Sequence, residues 1–490
     1  MKIQKLVIDK SIFTKLILVF IVLLGLFFRT YKLENYYVFE HDQDLYSWIV
    51  KDILVDHHFR LIGQLTSVDG VFIGPFFYYL LVPFFAIMNL DPIAATISST
   101  ILGLLTVISV YFIFSNMFTK TTGIVGATLY AVTISTVFWD RWVVPTQPTL
   151  LWSFWYLYAL FSLLRGNQRA FPLLGLLFGL IWHVHIALLP LVPLSLIAFL
   201  FSKKQLRIKS VLLLVAFFMV LTAPFWIFEF RHNFQQINGF VSSLTIYREE
   251  PEGYTRLTKI FDAASGAFAQ SLLWGVKIPV FFSYLLFLLT LTFLKIKKSI
   301  TSPQLLIIIL WIVLLVVSQL LSKRGVSEYY FANFIALNLL VFSLLISILD
   351  FVRRWLVAVI LVGIVLTNTF WLFQVQEFKN SYLYKKQAVD FIKKDADSKD
   401  FFCISINYIT NPGAAVGFRY LFWWKDANII RPGSNAPIYN IVIPWQVSAN
   451  EVDAYFGSVG VILPETGNFK DEKVCDDSNN YLDPLLGFTK

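Results

Sequence analysis

Three carboxylates and an imidazole fall within five consecutive residues, Glu40-His41-Asp42-Gln43-Asp44. Carboxylates this dense can take a proton from a hydroxyl or hold a divalent cation. Asp42 and Asp44 form an Asp-x-Asp pair, and Tyr46 follows on the same stretch. A helix beginning at Gln43 would set the acids at its N-terminus, where the dipole favours their ionised form. Its apolar side, Trp48, Ile49, Ile53 and Leu54, would then lie on a membrane surface. The plainer reading is a helix-capping Asp42 in a solvated acidic loop. Cations suited to a phosphate stand in Trp139-Asp140-Arg141-Trp142 and in Lys323-Arg324, just ahead of Tyr329. Arginine offers phosphate a bidentate fork, although an arginine at the end of an apolar run also serves as a snorkelling anchor. His183-x-His185 reads either as a polar kink between apolar helices or as part of a metal site. Imidazoles would suit Zn²⁺, and carboxylates Mg²⁺ or Mn²⁺.

The elements that carry these groups are set by composition. Of 490 residues, 57% are hydrophobic and 14% charged, against roughly 45–50% and about 25% in soluble globular chains. An ordinary soluble enzyme, a disordered protein and a disulfide scaffold are excluded, and most of the chain must lie in lipid. A spanning helix needs about 20 apolar residues. The first candidate, Ile12–Phe28, follows Lys2, Lys5, Lys10 and Lys15 and is read as a retained signal anchor with its N-terminus inside. Ten further spans are placed by treating 72–90 as juxtamembrane or re-entrant and by splitting 171–201, which holds Pro190 and Pro193, into two short helices.

Charge tests these eleven spans. Inside segments hold 16 basic residues and two acids, Asp9 and Asp350, for +14. The remaining 24 basic and 29 acidic residues give −5 outside, and the two sum to the net +9. The basicity is therefore a topology signal, and no nucleic-acid partner is needed. All six histidines then fall outside. The predicted architecture is an all-α polytopic membrane protein with about 11 transmembrane helices over residues 1–373, a first exoplasmic loop at 29–91, and a small soluble exoplasmic α/β domain at 374–490. In that tail a helical pattern near 382–395 precedes strand-like runs Phe401–Ile406, Ile438–Ile443 and Val459–Leu463. Cys403 and Cys475 both lie in it, where a disulfide is permitted without being required.

The acidic motif just after the first span, followed by a loop ending in Pro75-Phe76-Phe77-Tyr78-Tyr79-Leu80-Leu81, resembles the GT-C membrane glycosyltransferases. The similar branch is the dolichyl-phosphate-mannose-protein mannosyltransferase and aminoarabinose-transferase group. Gln43 stands where that group carries a second acid, with Asp44 as the substitute, and Ile73-Gly74-Pro75 stands for its His-Pro-Pro. Asp140-Arg141 matches its outside-facing arginine, and Gln147 replaces a polar or acidic residue near the next proline. The resemblance implies transfer of a hexosyl or pentosyl group from a polyprenyl-phosphate donor to an exoplasmic lipid, glycan or protein acceptor, inverting at the anomeric carbon. It implies Asp42 as general base with Asp44 beside it, and Arg141, Lys323 and Arg324 for the donor phosphate. Glu40, His41, Tyr46, His183, His185 and Tyr329 are candidates to line the substrate cavity. A divalent metal is possible and none is required. The alternative function is a transporter or flippase of lipid-linked sugars, which would show internal symmetry and mid-span charges. The absence of an Asn-x-Ser/Thr sequon fits a bacterial cytoplasmic membrane.

Overall fold

Without water to bond the backbone, an apolar run in lipid must satisfy its own N–H and C=O groups, and it does so as helix. The computed structural model describes residues 10–66, 68–243, 255–269, 280–322, 325–411, 413–431, 436–448, 452–465 and 475. The first helix, α1 (Lys10–Thr30), leads to a short α2 (Leu33–Tyr36), then α3 (His41–Leu54) and α4 (Phe76–Ile87). Then come α5 (Ala94–Met117), α6 (Lys120–Val132), α7 (Ile134–Arg141), α8 (Thr149–Leu164) and α9 (Ala170–Val184). A 3-10 turn at Ile186–Leu191 joins α9 to α10 (Pro193–Phe201). The chain continues through α11 (Ile208–Arg231), α12 (Gln235–Ser243), α13 (Arg256–Ala269), α14 (Val280–Ile296) and α15 (Ser302–Leu321). After α16 (Phe334–Ile348) and α17 (Arg354–Gln374) it leaves the helical bundle.

Among the described residues six helical runs, α1, α5, α11, α15, α17 and α16 extended by the 3-10 turn after it (Phe334–Phe351), are long and apolar enough to cross a membrane. The pair α6 and α7 passes the same test together but bends by 60° at Thr133. Shorter apolar helices include α4, α8, α9 and the run Ile186–Phe201. The chain is an integral, multi-pass membrane protein. The 171–201 run is broken as its sequence suggests: α9 ends at Val184, and His185 is extended (φ −167°). Helix α4 has only 12 residues, about 18 Å at 1.5 Å per residue, too short to span.

The C-terminal unit opens with α18 (Tyr382–Ser398). Its buried positions Tyr382, Lys385, Ala388, Val389, Ile392 and Ala396 recur at helical spacing, and Ala388, Val389, Ile392 and Ala396 share one apolar core with a five-stranded sheet. The strands are β1 (Ile404–Thr410), β2 (Ile429–Ile430), β3 (Ile438–Ile443), β4 (Ala454–Phe456) and β5 (Val459–Ile462), in the order β2-β1-β3-β5-β4. The central β1 runs parallel to β2 and β3, while β5 is antiparallel to β3 and β4. Helix α19 (Phe418–Trp424) crosses between β1 and β2, as a parallel connection requires. Cys403 and Cys475 are joined in a disulfide, with Cα atoms 5.6 Å apart.

Helix α3 departs from its expected start and from its expected surroundings. The helix begins at His41, not Gln43, with Glu40 as its N-cap. Its apolar side does not lie on the membrane. Trp48, Ile49 and Ile53 are buried in one apolar core with Phe77, Tyr78 and Leu81 of α4, Tyr382, Ala388 and Val389 of α18, Tyr420 and Leu421 of α19, and the sheet. Apolar area withdrawn from water contributes about 25 cal/mol per Å² wherever it goes, and a helix-and-sheet unit directly overhead offers a better-packed partner than a lipid surface.

Candidate active site

Positions two apart on an α-helix point about 200° away from one another, and this separates the two acids of the motif. The Asp42 side chain is 38% exposed, whereas Asp44 is 4% exposed. Asp42 Oδ1 accepts a hydrogen bond from Gln64 Nε2 at 3.0 Å, and His41 Nδ1 stands 3.7 Å from it. Gln64 is fixed in turn by the Tyr78 hydroxyl, which accepts from the Gln64 amide at 3.0 Å and donates to its Oε1 at 3.1 Å. This approach needs glycine at position 63, because a Cβ there would lie 2.2 Å from the Tyr78 ring. Tyr79 grips the loop one turn earlier, accepting from the Arg60 amide at 2.9 Å and donating to the Arg60 carbonyl at 3.0 Å. The Pro75-led aromatic segment thus acts as a two-point clamp on the loop that fixes Asp42. Gln43 Oε1 accepts from the Glu40 amide at 3.2 Å, and its Nε2 donates to the Val143 carbonyl at 3.0 Å. Gln43 thereby ties the start of α3 to the loop after α7.

Asp44 has an Oδ1 with no hydrogen-bond partner. Burial pushes its carboxyl up to about 7, against the pull of Lys385 and His41. Lys385 is the residue that sequence reasoning missed. It comes from α18, is fully buried, and its Nζ donates to the Phe39 carbonyl at 2.7 Å and the Val416 carbonyl at 2.8 Å. Burial lowers its amine to about 8, with Glu40 and Asp44 opposing the shift. The local pattern Tyr384-Lys385-Lys386 resembles any solvated helix face, so no sequence signal marks it. Glu40 itself is exposed. Tyr46 is wholly buried, its hydroxyl sharing a short hydrogen bond with that of Tyr37, so it packs inside the shared core.

Arg141 is buried rather than snorkelling. Its Nη2 donates to the Phe28 carbonyl at 2.5 Å and the Tyr31 carbonyl at 2.8 Å, closing the end of α1, while Nε and Nη1 have no partner. The guanidinium also sits 5.3 Å from the Tyr36 ring centre. Beside it lies a second feature that sequence reasoning missed. Arg29, at the end of α1, bonds Asp140 Oδ2 through Nε at 2.9 Å and Nη2 at 2.6 Å, and Tyr130 donates to Asp140 Oδ1 at 2.9 Å. Opposite charges at the ends of two apolar runs were the available signal, since such groups pair when buried.

The two histidines of His183-x-His185 diverge. His183 bridges helices, with the Phe76 amide donating to Nδ1 at 3.3 Å and Nε2 lying 2.8 Å from the Leu221 carbonyl. His185 stacks on Tyr330, ring centres 5.3 Å apart, and lies 5.4 Å from Tyr329. Among the described residues no three His, Cys, Asp or Glu side chains converge as a metal site. Lys323 and Arg324 lie outside the described residues.

The broken helical bundle, the acidic first loop above it and the α/β unit over that loop define a GT-C-fold membrane protein. Residues 73–228 match the family model described as dolichyl-phosphate-mannose-protein mannosyltransferase. In structure the chain is similar to ArnT from Cupriavidus metallidurans bound to undecaprenyl phosphate, with a TM-score of 0.60 and 11% identity over 93% of this chain and 98% of that one. The apo form of the same protein gives 0.59 and 12% over the same shares. At such identity the likeness is one of fold. No curated protein matches the sequence. The resemblance to the mannosyltransferase and aminoarabinose-transferase group is borne out by the family match and the shared fold.

Proposed function

We propose that this chain is a glycosyltransferase that moves a sugar from a polyprenyl-phosphate donor to an acceptor hydroxyl at the outer membrane face, with Asp42 as general base. The observation that carries the reading is the pairing of a clamped, half-exposed carboxylate at the start of α3 with the fold of a protein seen with undecaprenyl phosphate. In the proposed step the acceptor oxygen forms a bond to the anomeric carbon as its proton passes to Asp42. The bond from that carbon to the donor phosphate breaks, and polyprenyl phosphate leaves with the electron pair. Direct displacement inverts the anomeric configuration. A base does this work from hydrogen-bond reach, about 2.6–3.2 Å.

Arg141, Lys323 and Arg324 are proposed to receive the donor phosphate. The two unbonded nitrogens of Arg141 favour this for that residue. Asp44 and Tyr46 support the site from within the core, whereas Glu40 and His41 stand at its exposed side. The Cys403–Cys475 disulfide supports an exoplasmic C-terminal unit, because such bonds persist in oxidising compartments.

The test is transfer of radiolabelled sugar from purified polyprenyl-phosphate donor. Asp42→Asn keeps the Gln64 contact and cannot take the proton, so turnover should fall about 10²–10⁴-fold with donor binding intact. Retention of more than a few per cent activity, with Asp44→Asn or Glu40→Gln dead, would move the base to another carboxylate. Full activity in all three would end the reading.

A further inference from the structure

Residues 37–39 run as an extended strap between α2 and α3, and among the described residues the C-terminal unit holds the strap's backbone at three successive positions. The Tyr382 amide donates to the Tyr37 carbonyl at 2.9 Å, and Val38 forms an antiparallel bridge with Ser381. The Tyr382 ring packs on Tyr37 and Phe39 at 5.6 and 5.9 Å. The turn before α19 closes on the same residue: Gly417 takes φ +95°, and a Cβ there would lie 2.9 Å from the Phe39 ring. The Phe39 carbonyl accepts from Lys385 Nζ, which also holds the Val416 carbonyl one residue before Gly417. Asp42 follows three residues after Phe39.

A fully buried ammonium on two neutral carbonyls is a costly device for stability alone. A charge taken out of water is penalised, and only well-placed partners offset that penalty. What the ammonium supplies is direction. It draws a carbonyl of the strap and a carbonyl of the C-terminal unit to one point, at the base of the turn that starts α3. The acids nearby, Glu40 and Asp44, favour its charged form.

We infer that Lys385 is a positioning residue for the Asp42 site, and that the C-terminal unit is thereby part of the catalytic assembly and not an appended domain. The inference rests on the reading of Asp42 as base. Lys385 fixes the Phe39 carbonyl, the carbonyl fixes the entry to α3, and the entry sets where the Asp42 carboxylate stands relative to the clamped Gln64. A displacement of about 1 Å at a reacting group can cost on the order of 10²-fold in rate.

The test uses the full-length protein in lipid nanodiscs. Lys385→Met leaves the Phe39 and Val416 carbonyls without a donor, so it should unfold at a lower temperature than the unmodified protein while staying folded at the assay temperature. Its turnover should fall 10- to 100-fold while donor KM stays within twofold, and backbone hydrogen exchange at 39–44 should quicken. Combined with Asp42→Asn, the Met substitution should add no further loss, because a displaced base and an absent base are the same defect. Should the Met variant fail to fold, Lys385→Gln, which keeps one donor, is read in the same way. Unchanged turnover and unchanged exchange at 39–44 overturn the inference, as do losses that multiply in the double variant. An active Asp42→Asn would instead strike at the base assignment alone, and exchange at 39–44 would still decide whether Lys385 holds the strap.

Discussion

Asp42 and Asp44 share a motif and a helix turn, yet the fold gives them opposite environments, and each has a separate experimental signature. Asp42 depends on a relay from Tyr78 through Gln64. Tyr78→Phe keeps the ring that fills the space against Gly63 and removes only the hydroxyl. Gln64 then loses one acceptor and one donor, each worth about 0.5–1.5 kcal/mol net. The expected result is a roughly tenfold drop in kcat with little change in donor KM; an unaltered kcat would show that the relay does not act on the base. Asp44 is read through pH. Its carboxyl is raised from 3.8 to about 7 by burial, so between those values the unfolded chain is ionised there while the folded chain stays protonated. The folded state then binds more protons, and stability falls as pH rises through that window, by on the order of a few kcal/mol in all. Asp44→Asn removes the penalty. Thermal unfolding should show the variant gaining on the unmodified protein between pH 5 and pH 8, and a constant difference across that range would refute the assignment. The acidic cluster was legible as a site because its residue types are dense. Which acid is wet was not, because that depends on what covers α3.

At the scale of elements, the break at His185 leaves α9 and α10 too short to hold their places alone. Two glycines let α9 approach α11 backbone to backbone. A Cβ at Gly175 would meet the Leu214 carbonyl oxygen at 2.3 Å, and one at Gly179 would meet Leu221 Cβ at 2.7 Å. This is the small-xxx-small contact by which helices associate in lipid. Backbone atoms cannot rotate aside, so Gly175→Ala should destabilise by about 1–3 kcal/mol through overpacking. At Gly363, in α17, a Cβ would meet nothing within 4 Å. Gly363→Ala should be neutral or stabilising by up to about 1 kcal/mol, from helix propensity. Equal unfolding temperatures for the two variants would refute the close contact. Element positions were largely readable from the sequence. The tail's helical pattern near 382–395 became Tyr382–Ser398, and the strand-like run Ile438–Ile443 is β3 at the same limits. Periodicity is a local property and survives folding. The partners of each element are not local: nothing near α3 announces that its apolar side meets α18 and α19, and nothing near Lys385 announces that it is buried.

Across the whole molecule, hydrogen bonds sort the connections onto two ends. Arg165, after α8, donates to the carbonyls of Asn116 and Met117 at the end of α5. Gln168 bonds the Gln205 carbonyl and the Arg207 amide in the turn before α11, and Thr121 bonds Asp350 ahead of α17. Those four turns carry Lys120, Arg165, Arg169, Lys203, Lys204, Arg207, Arg353 and Arg354 against Asp350. The acidic first loop, the segment around Asp140 to Gln147, α12 and the C-terminal unit gather at the opposite end. Among the described residues six helices, or seven with the bent α6–α7 pair, are long and apolar enough to span, against the eleven expected from the sequence. Positive charge stays on the cytoplasmic side during insertion, so the basic end is expected inside and the C-terminal unit outside. A C-terminal alkaline phosphatase fusion should be active and a cytosol-dependent fluorescent fusion dark, while Cys403 and Cys475 should resist thiol labelling in intact cells until a reductant is added. An inactive phosphatase with a bright fluorescent fusion would invert the molecule. The strap, Asp42 and the C-terminal unit would then face the cytosol, where the Cys403–Cys475 disulfide would not persist and an exoplasmic acceptor could not be reached.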